Sequence, residues 1–83
     1  MKINEIIRTR RLELEMSQRG LAEMVGCRPH FISQLESGSV AFPKKKWRLY
    51  ARSLKIDETS FLMLVFRTVL VDVDDYVLVR YED

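Results

Sequence analysis

Cys27 and His30 stand three residues apart, and they are the only cysteine and the only histidine in the chain. A closed zinc site takes four ligands, nearly always with Cys or His among them, so this pair is not expected to hold a metal. As a nucleophile and its base the two would need a substrate pocket, and 83 residues leave little room to build one, so catalysis is not expected either. Three glycines, Gly20, Gly26 and Gly38, cannot be assembled into a phosphate-cradling loop. A different chemistry is better supplied. Arg28, Pro29, His30, Ser33 and Gln34 crowd into one short stretch. A Gln pairs bidentately with adenine, a His or Arg donates to guanine N7, and a Pro packs on a thymine methyl. Two further clusters, Ser17-Gln18-Arg19 and Lys44-Lys45-Lys46, carry the donors and cations that phosphates take.

Charge is distributed to match. Residues 1–56 hold twelve Lys or Arg against five Glu, a balance of +7, whereas residues 57–83 hold Arg67 and Arg80 against seven acids, a balance of −5. A basic body is an electrostatic surface for a polyanion, and an acidic tail must serve another purpose. At 47% apolar and 31% charged the composition is that of a globular chain with a single core. No stretch reaches the roughly 18 uncharged apolar residues of a membrane span, so no membrane role is expected. The charged opening residues do not read as a secretory signal, and a lone cysteine excludes an intramolecular disulfide, so a cytoplasmic location is expected.

Five helices must position these groups. Asn4 is placed to cap a first helix over about residues 4–15, with Ile3, Ile7, Arg11 and Leu14 at three- and four-residue intervals. Ser17 caps a second over about 18–25, where Leu21, Ala22 and Val25 form one apolar stripe ended by Gly26. Pro29 suits the first turn of a third, about 29–37, which carries Ile32 and Leu35 up to Gly38. After Pro43, Trp47, Tyr50, Ala51 and Leu54 follow at i, i+3, i+4 and i+7, predicting a fourth helix over about 44–54. Asp57 caps a fifth that carries Phe61, Leu62 and Val65. Val69, Val71 and Val73, then Val77 and Val79, flank Asp74-Asp75 and read as strand, turn and strand. A rival reading extends the fifth helix through Val71 and leaves one strand, about 76–81.

The segment from Gln18 to Ser37 meets the stereochemical demands of a DNA-binding helix-turn-helix. Ala22 is small where the two helices cross, Gly26 tolerates positive φ in the turn, and Leu21, Val25, Cys27, Ile32 and Leu35 point inward. At Ser17-Gln18, Leu21-Ala22, Val25-Gly26, Ile32-Ser33, Leu35-Glu36, Gly38, Pro43 and Ala51–Leu54 the chain resembles the phage-repressor and Cro-like family of XRE-type regulators, over about residues 3–63. That resemblance implies a mainly α, five-helix, lambda-repressor-like DNA-binding domain that dimerises and lays its third helix in the major groove. It also implies a largely buried ion pair between Arg11 and Glu36. Four features depart from the pattern: Glu15 stands where a Gly often ends the first helix, Arg28 where Ser or Thr caps the third, Pro29 where well-known members place a base-reading Gln, and the loop Val40-Ala41-Phe42 is apolar where relatives often have Lys or Arg.

The expected division of labour follows. Residues 1–66 form the DNA-binding domain and 67–83 a C-terminal β-like dimerisation segment. Arg28, Pro29, His30, Ser33 and Gln34 read bases, against the alternative of a merely solvated polar face. Ser17, Gln18, Arg19, Lys44, Lys45 and Lys46 hold phosphates, the first three at a helix N-terminus that favours anions. Residues 61–66 are apolar all round a helix, so Phe61, Met63, Leu64 and Phe66, with Val77, Leu78 and Val79, are assigned to a homodimer interface. The expected function is a sequence-specific regulator of transcription, most simply a repressor, acting on a palindromic operator in double-stranded DNA without cofactor or metal. The competing reading is an antitoxin-type interaction module whose C-terminus binds a partner protein.

Overall fold

The computed structural model describes residues 2–73, with side chains through Arg67; Val77, Leu78 and Val79 lie outside the described residues. The elements in order are α1 (Ile3–Glu13), α2 (Gln18–Val25), α3 (Pro29–Ser37), a 3₁₀ turn (Lys44–Lys46), α4 (Trp47–Ser53) and α5 (Glu58–Val73). The chain is therefore mainly α, with five α-helices and no strand among the described residues.

Each helix starts and stops for a local reason. Ser17 caps α2 by accepting the Gly20 amide at 2.9 Å, and Asp57 caps α5 by accepting the amide and hydroxyl of Ser60 at 3.0 and 3.1 Å. The first cap differs from expectation. Lys2 is the N-cap of α1, its amide donating to Glu5 Oε1 at 3.2 Å, so the helix begins before Asn4. Asn4 instead donates its side-chain amide to the Glu36 carbonyl at 3.2 Å and ties α1 to the end of α3. The first four helices end in the same way, with an amide reaching back five residues: Met16 to Arg11, Cys27 to Ala22, Ser39 to Gln34 and Ile56 to Ala51, all at 2.9 to 3.0 Å. This closure needs a left-handed residue. Gly26 and Gly38 supply it at φ 75° and 83°, and Glu15 and Lys55 adopt φ 55° and 53° without that freedom.

Two further boundaries depart from expectation. Lys44–Lys46 form a 3₁₀ turn, closed by the Lys46 amide on the Pro43 carbonyl at 2.9 Å, and the α-helix begins only at Trp47. Three lysines in a first α-turn would oppose the helix dipole, and the 3₁₀ turn defers the helix past them. At the other end α5 continues through Val73, so Val69–Val73 are helical and the strand reading of that arm is corrected. No Gly or Pro interrupts residues 57–73, and a helix already capped and packed extends through valines at small propensity cost.

One core joins the five helices. Ile7 of α1, Leu21 and Val25 of α2, Ile32 and Leu35 of α3, Tyr50 of α4, Leu54 at its C-cap and Phe61 of α5 are all at most 1% exposed. Each such side chain contributes roughly 1.5–3 kcal/mol of transfer free energy. Phe42, in the loop before the 3₁₀ turn, sets its ring edge-on to Tyr50 and Phe61 at 5.1 and 5.7 Å, so the loop's apolar character serves the core.

Candidate nucleic-acid interface

The chemistry-bearing stretch is sorted by the helical period of α3. Ile32, Leu35 and Glu36 face inward. Pro29, His30 and Ser33 are exposed and Gln34 is half-buried, and residues four apart (Pro29 with Ser33, His30 with Gln34) share one outward strip. Arg28 is the exposed N-cap, and its side chain makes no cap bond. All five expected base-reading residues thus lie together at the start and along the outer side of one helix. Ser37 extends the same strip, which the sequence reading missed; its hydroxyl donates to the Gln34 carbonyl at 3.0 Å and pairs with the Ser39 hydroxyl at 2.8 Å.

Behind the strip, a charged network fixes the base of α3. Arg11 Nε donates to Glu36 Oε2 at 2.6 Å and Nη2 to Oε1 at 3.0 Å, a two-pronged pair whose side chains are only 8% and 4% exposed. Arg11 Nη1 also donates to the Met16 carbonyl at 2.8 Å, and Gln18 Nε2 to Glu36 Oε1 at 3.2 Å. The hydrogen bond to Glu36 pushes the guanidinium above its ordinary range, burial opposes this, and the carboxylate's charge adds to the rise. The guanidinium therefore stays charged. Through the pair α1, the start of α2 and the end of α3 form one unit, and the Gln18 amide is oriented by the carboxylate that terminates the network.

The expected phosphate-holding residues lie before and after α3 in the chain. At the start of α2, Ser17 is occupied as the cap, Gln18 leans on Glu36 and Arg19 is exposed. Lys44 and Lys45 are exposed on the 3₁₀ turn. Lys46 is exposed too, but its ammonium is engaged, donating to the Val25 carbonyl at 3.2 Å and the Gly26 carbonyl at 3.5 Å. A second cationic tether was also illegible in sequence. Arg10 donates from Nε to the Leu54 carbonyl at 2.9 Å and from Nη2 to the Lys55 carbonyl at 3.3 Å, closing the end of α4 from α1. Partners 44 and 45 residues away leave no local signal.

The residues assigned to dimerisation separate. Phe61 is fully buried within its own chain against Phe42, and Leu64 packs partly on the same core, so Phe61 has no surface left for a partner. Leu62, Met63 and Phe66 are 40%, 67% and 41% exposed on α5. Cys27 packs half-buried against the core. The nearby Tyr50 hydroxyl is buried without a hydrogen-bond partner, and burial, with a smaller contribution from the Cys27 thiol, pushes its phenol well above the usual tyrosine range. Among the described residues no group of His, Cys, Asp or Glu could hold a metal ion, and no helix is long and apolar enough to cross a membrane.

Comparison with known proteins agrees with this geometry. The sequence pattern of the helix-turn-helix family matches residues 7–61. Among solved structures, the chain is similar to the P22 c2 repressor protein, determined in complex with the synthetic operator 9T in the presence of Tl+. The two share 26% sequence identity and superpose with a TM-score of 0.67, over 77% of this chain and 97% of that one. No curated protein matches the chain.

Proposed function

The chain belongs to the helix-turn-helix family of phage-repressor and Cro-like, XRE-type regulators, and from that membership we propose that it binds double-stranded DNA and regulates transcription by doing so. It works by binding and not as an enzyme. The observation that carries this reading is the outward strip of α3, where Pro29, His30, Ser33 and Gln34 follow Arg28 while the opposite side is locked by Arg11, Glu36 and Gln18. A rigid helix with free polar tips on one side fits a major groove about 12 Å wide and reads base edges there. In this reading Gln34 addresses adenine, His30 or Arg28 a guanine N7, and Pro29 a thymine methyl. The start of α2, with Ser17, Gln18 and Arg19, and the exposed Lys44 and Lys45 hold the phosphates on either side.

The regulator acts as a homodimer on a palindromic operator, most simply as a repressor. Exposed Leu62 and Met63 on α5 support a self-association surface, on the part of the chain whose net charge is −5 and which is unsuited to face DNA. That the similar P22 c2 repressor was determined on an operator supports the duplex as ligand. Selection from random duplex DNA tests the proposal. Enrichment of an inverted repeat with half-sites about one helical turn apart is expected; recovery of unrelated sequences at every round would count against it.

A further inference from the structure

One ammonium ties the turn that precedes α3 to the 3₁₀ turn that lies beyond the loop after it. α3 is preceded by the turn through Gly26 and followed by the loop from Gly38 to Pro43, so left-handed glycines, the least restrained residues in the chain, sit at both of its joints. Its N-cap, Arg28, offers no side-chain bond that would stiffen the first joint. Lys46 lies beyond the far joint, in the 3₁₀ turn that the Pro43 carbonyl closes, and its Nζ reaches back 21 residues to Val25 O at 3.2 Å and 20 residues to Gly26 O at 3.5 Å. These carbonyls are the last of α2 and the one at its left-handed cap, where orphan acceptors and the negative end of the helix dipole meet. A Cβ on Gly26 would stand 3.9 Å from the same Nζ, so the ammonium rests directly over the turn.

We propose that Lys46 is a positioning residue for DNA readout, a clasp that fixes the angle of α3 against α2, and not one of the phosphate-holding lysines. The inference rests on the DNA-binding reading above for its functional consequence, though the clasp itself is a property of the free protein. All three lysines are exposed, but an ammonium committed to two carbonyls releases no counterion when DNA arrives, whereas Lys44 and Lys45, which make no such bond, do. Lys46 therefore affects which sequences are bound and leaves the salt dependence untouched.

The experiment compares wild type, Lys46→Ala, Lys46→Arg and Lys45→Ala. Affinity is measured for a selected duplex and an unrelated one between about 50 and 200 mM salt, and amide hydrogen exchange is measured without DNA. For Lys46→Ala the expected result is a wild-type salt slope, an affinity about tenfold weaker for the selected duplex and unchanged for the unrelated one. Lys46→Arg, which can bridge the same carbonyls, restores the selected-site affinity. Lys45→Ala lowers the slope by about 0.9 and weakens both duplexes alike. Without DNA, the Gly26 and Cys27 amides of Lys46→Ala exchange several-fold faster. A slope lowered by about 0.9 in Lys46→Ala, equal weakening on both duplexes, or unchanged exchange at Gly26 and Cys27 would overturn the clasp. If wild type binds no DNA at all, the functional reading fails, and the exchange measurement alone decides for or against the clasp.

Discussion

The Arg11–Glu36 pair shows how much one residue carries. Both side chains are more than nine-tenths buried, so water does little to screen them, and removing one partner leaves a charge in the core. Glu36→Ala should therefore lose about 3–5 kcal/mol in denaturant unfolding, a large share of the stability of so small a domain. A loss under about 1 kcal/mol would show the pair to be energetically exposed. Tyr50 makes the opposite case. Its hydroxyl is buried with no partner, so Tyr50→Phe should be neutral or stabilising by up to about 1 kcal/mol at pH 7. The sign with pH follows from the raised phenol: the folded state holds its proton where the unfolded chain, with a tyrosine pKa near 10, gives it up. Stability from this group is intact below about pH 10 and falls as pH rises beyond it. Tyr50→Phe removes that part of the alkaline loss, so the two proteins should diverge in unfolding free energy above about pH 10 and not below it. Parallel curves would mean that the phenol ionises in the folded chain as it does in the unfolded one, and destabilisation of Tyr50→Phe at pH 7 would mean that the hydroxyl has a partner.

At the scale of elements, the boundaries set by short-range chemistry were legible and those set by distant partners were not. Ser17 and Asp57 carry oxygen acceptors at the right spacing, Pro29 fits only a first turn, and Gly26 and Gly38 stop their helices, so α2, α3 and the start of α5 follow from a few neighbouring residues. Asn4 misled because it resembles a cap while its real partner is the Glu36 carbonyl, 32 residues on. The valines from Val69 misled because β-branching is a weak preference that a continuing helix overrides. The grouping of Pro29, His30, Ser33 and Gln34, the proposed base readers on α3, follows from its period, whereas the commitment of Lys46 to Val25 and Gly26 depends on tertiary structure. The left-handed closures give a direct test. Glu15 and Lys55 hold φ near 55° with a Cβ to accommodate, so Glu15→Gly should gain about 0.5 kcal/mol once the entropy of glycine in the unfolded chain is deducted. Gly26→Ala, at φ 75°, should lose about 1 kcal/mol or more. Thermal or denaturant unfolding reads both, and a stabilised Gly26→Ala would contradict the observed turn.

Across the whole molecule, charge and exposure divide the chain into a basic helix-turn-helix body and an acidic, apolar end. Met63 is two-thirds exposed on α5, so a Met63→Glu chain should stay folded, sediment as a monomer and bind its operator far more weakly; an unchanged dimer would remove α5 from the interface. The claim on which everything else depends is that the outer strip of α3 reads sequence while the flanking groups only hold the backbone. It is tested most directly by the ratio of selected-site to unrelated-duplex affinity at one fixed salt concentration, in wild type, His30→Ala, Gln34→Ala, Lys44→Ala and Lys45→Ala. Losses of about 1–3 kcal/mol in that ratio for His30→Ala and Gln34→Ala, with the ratio unchanged for the two lysine variants, are the predicted result. An equal ratio in all five proteins would contradict it.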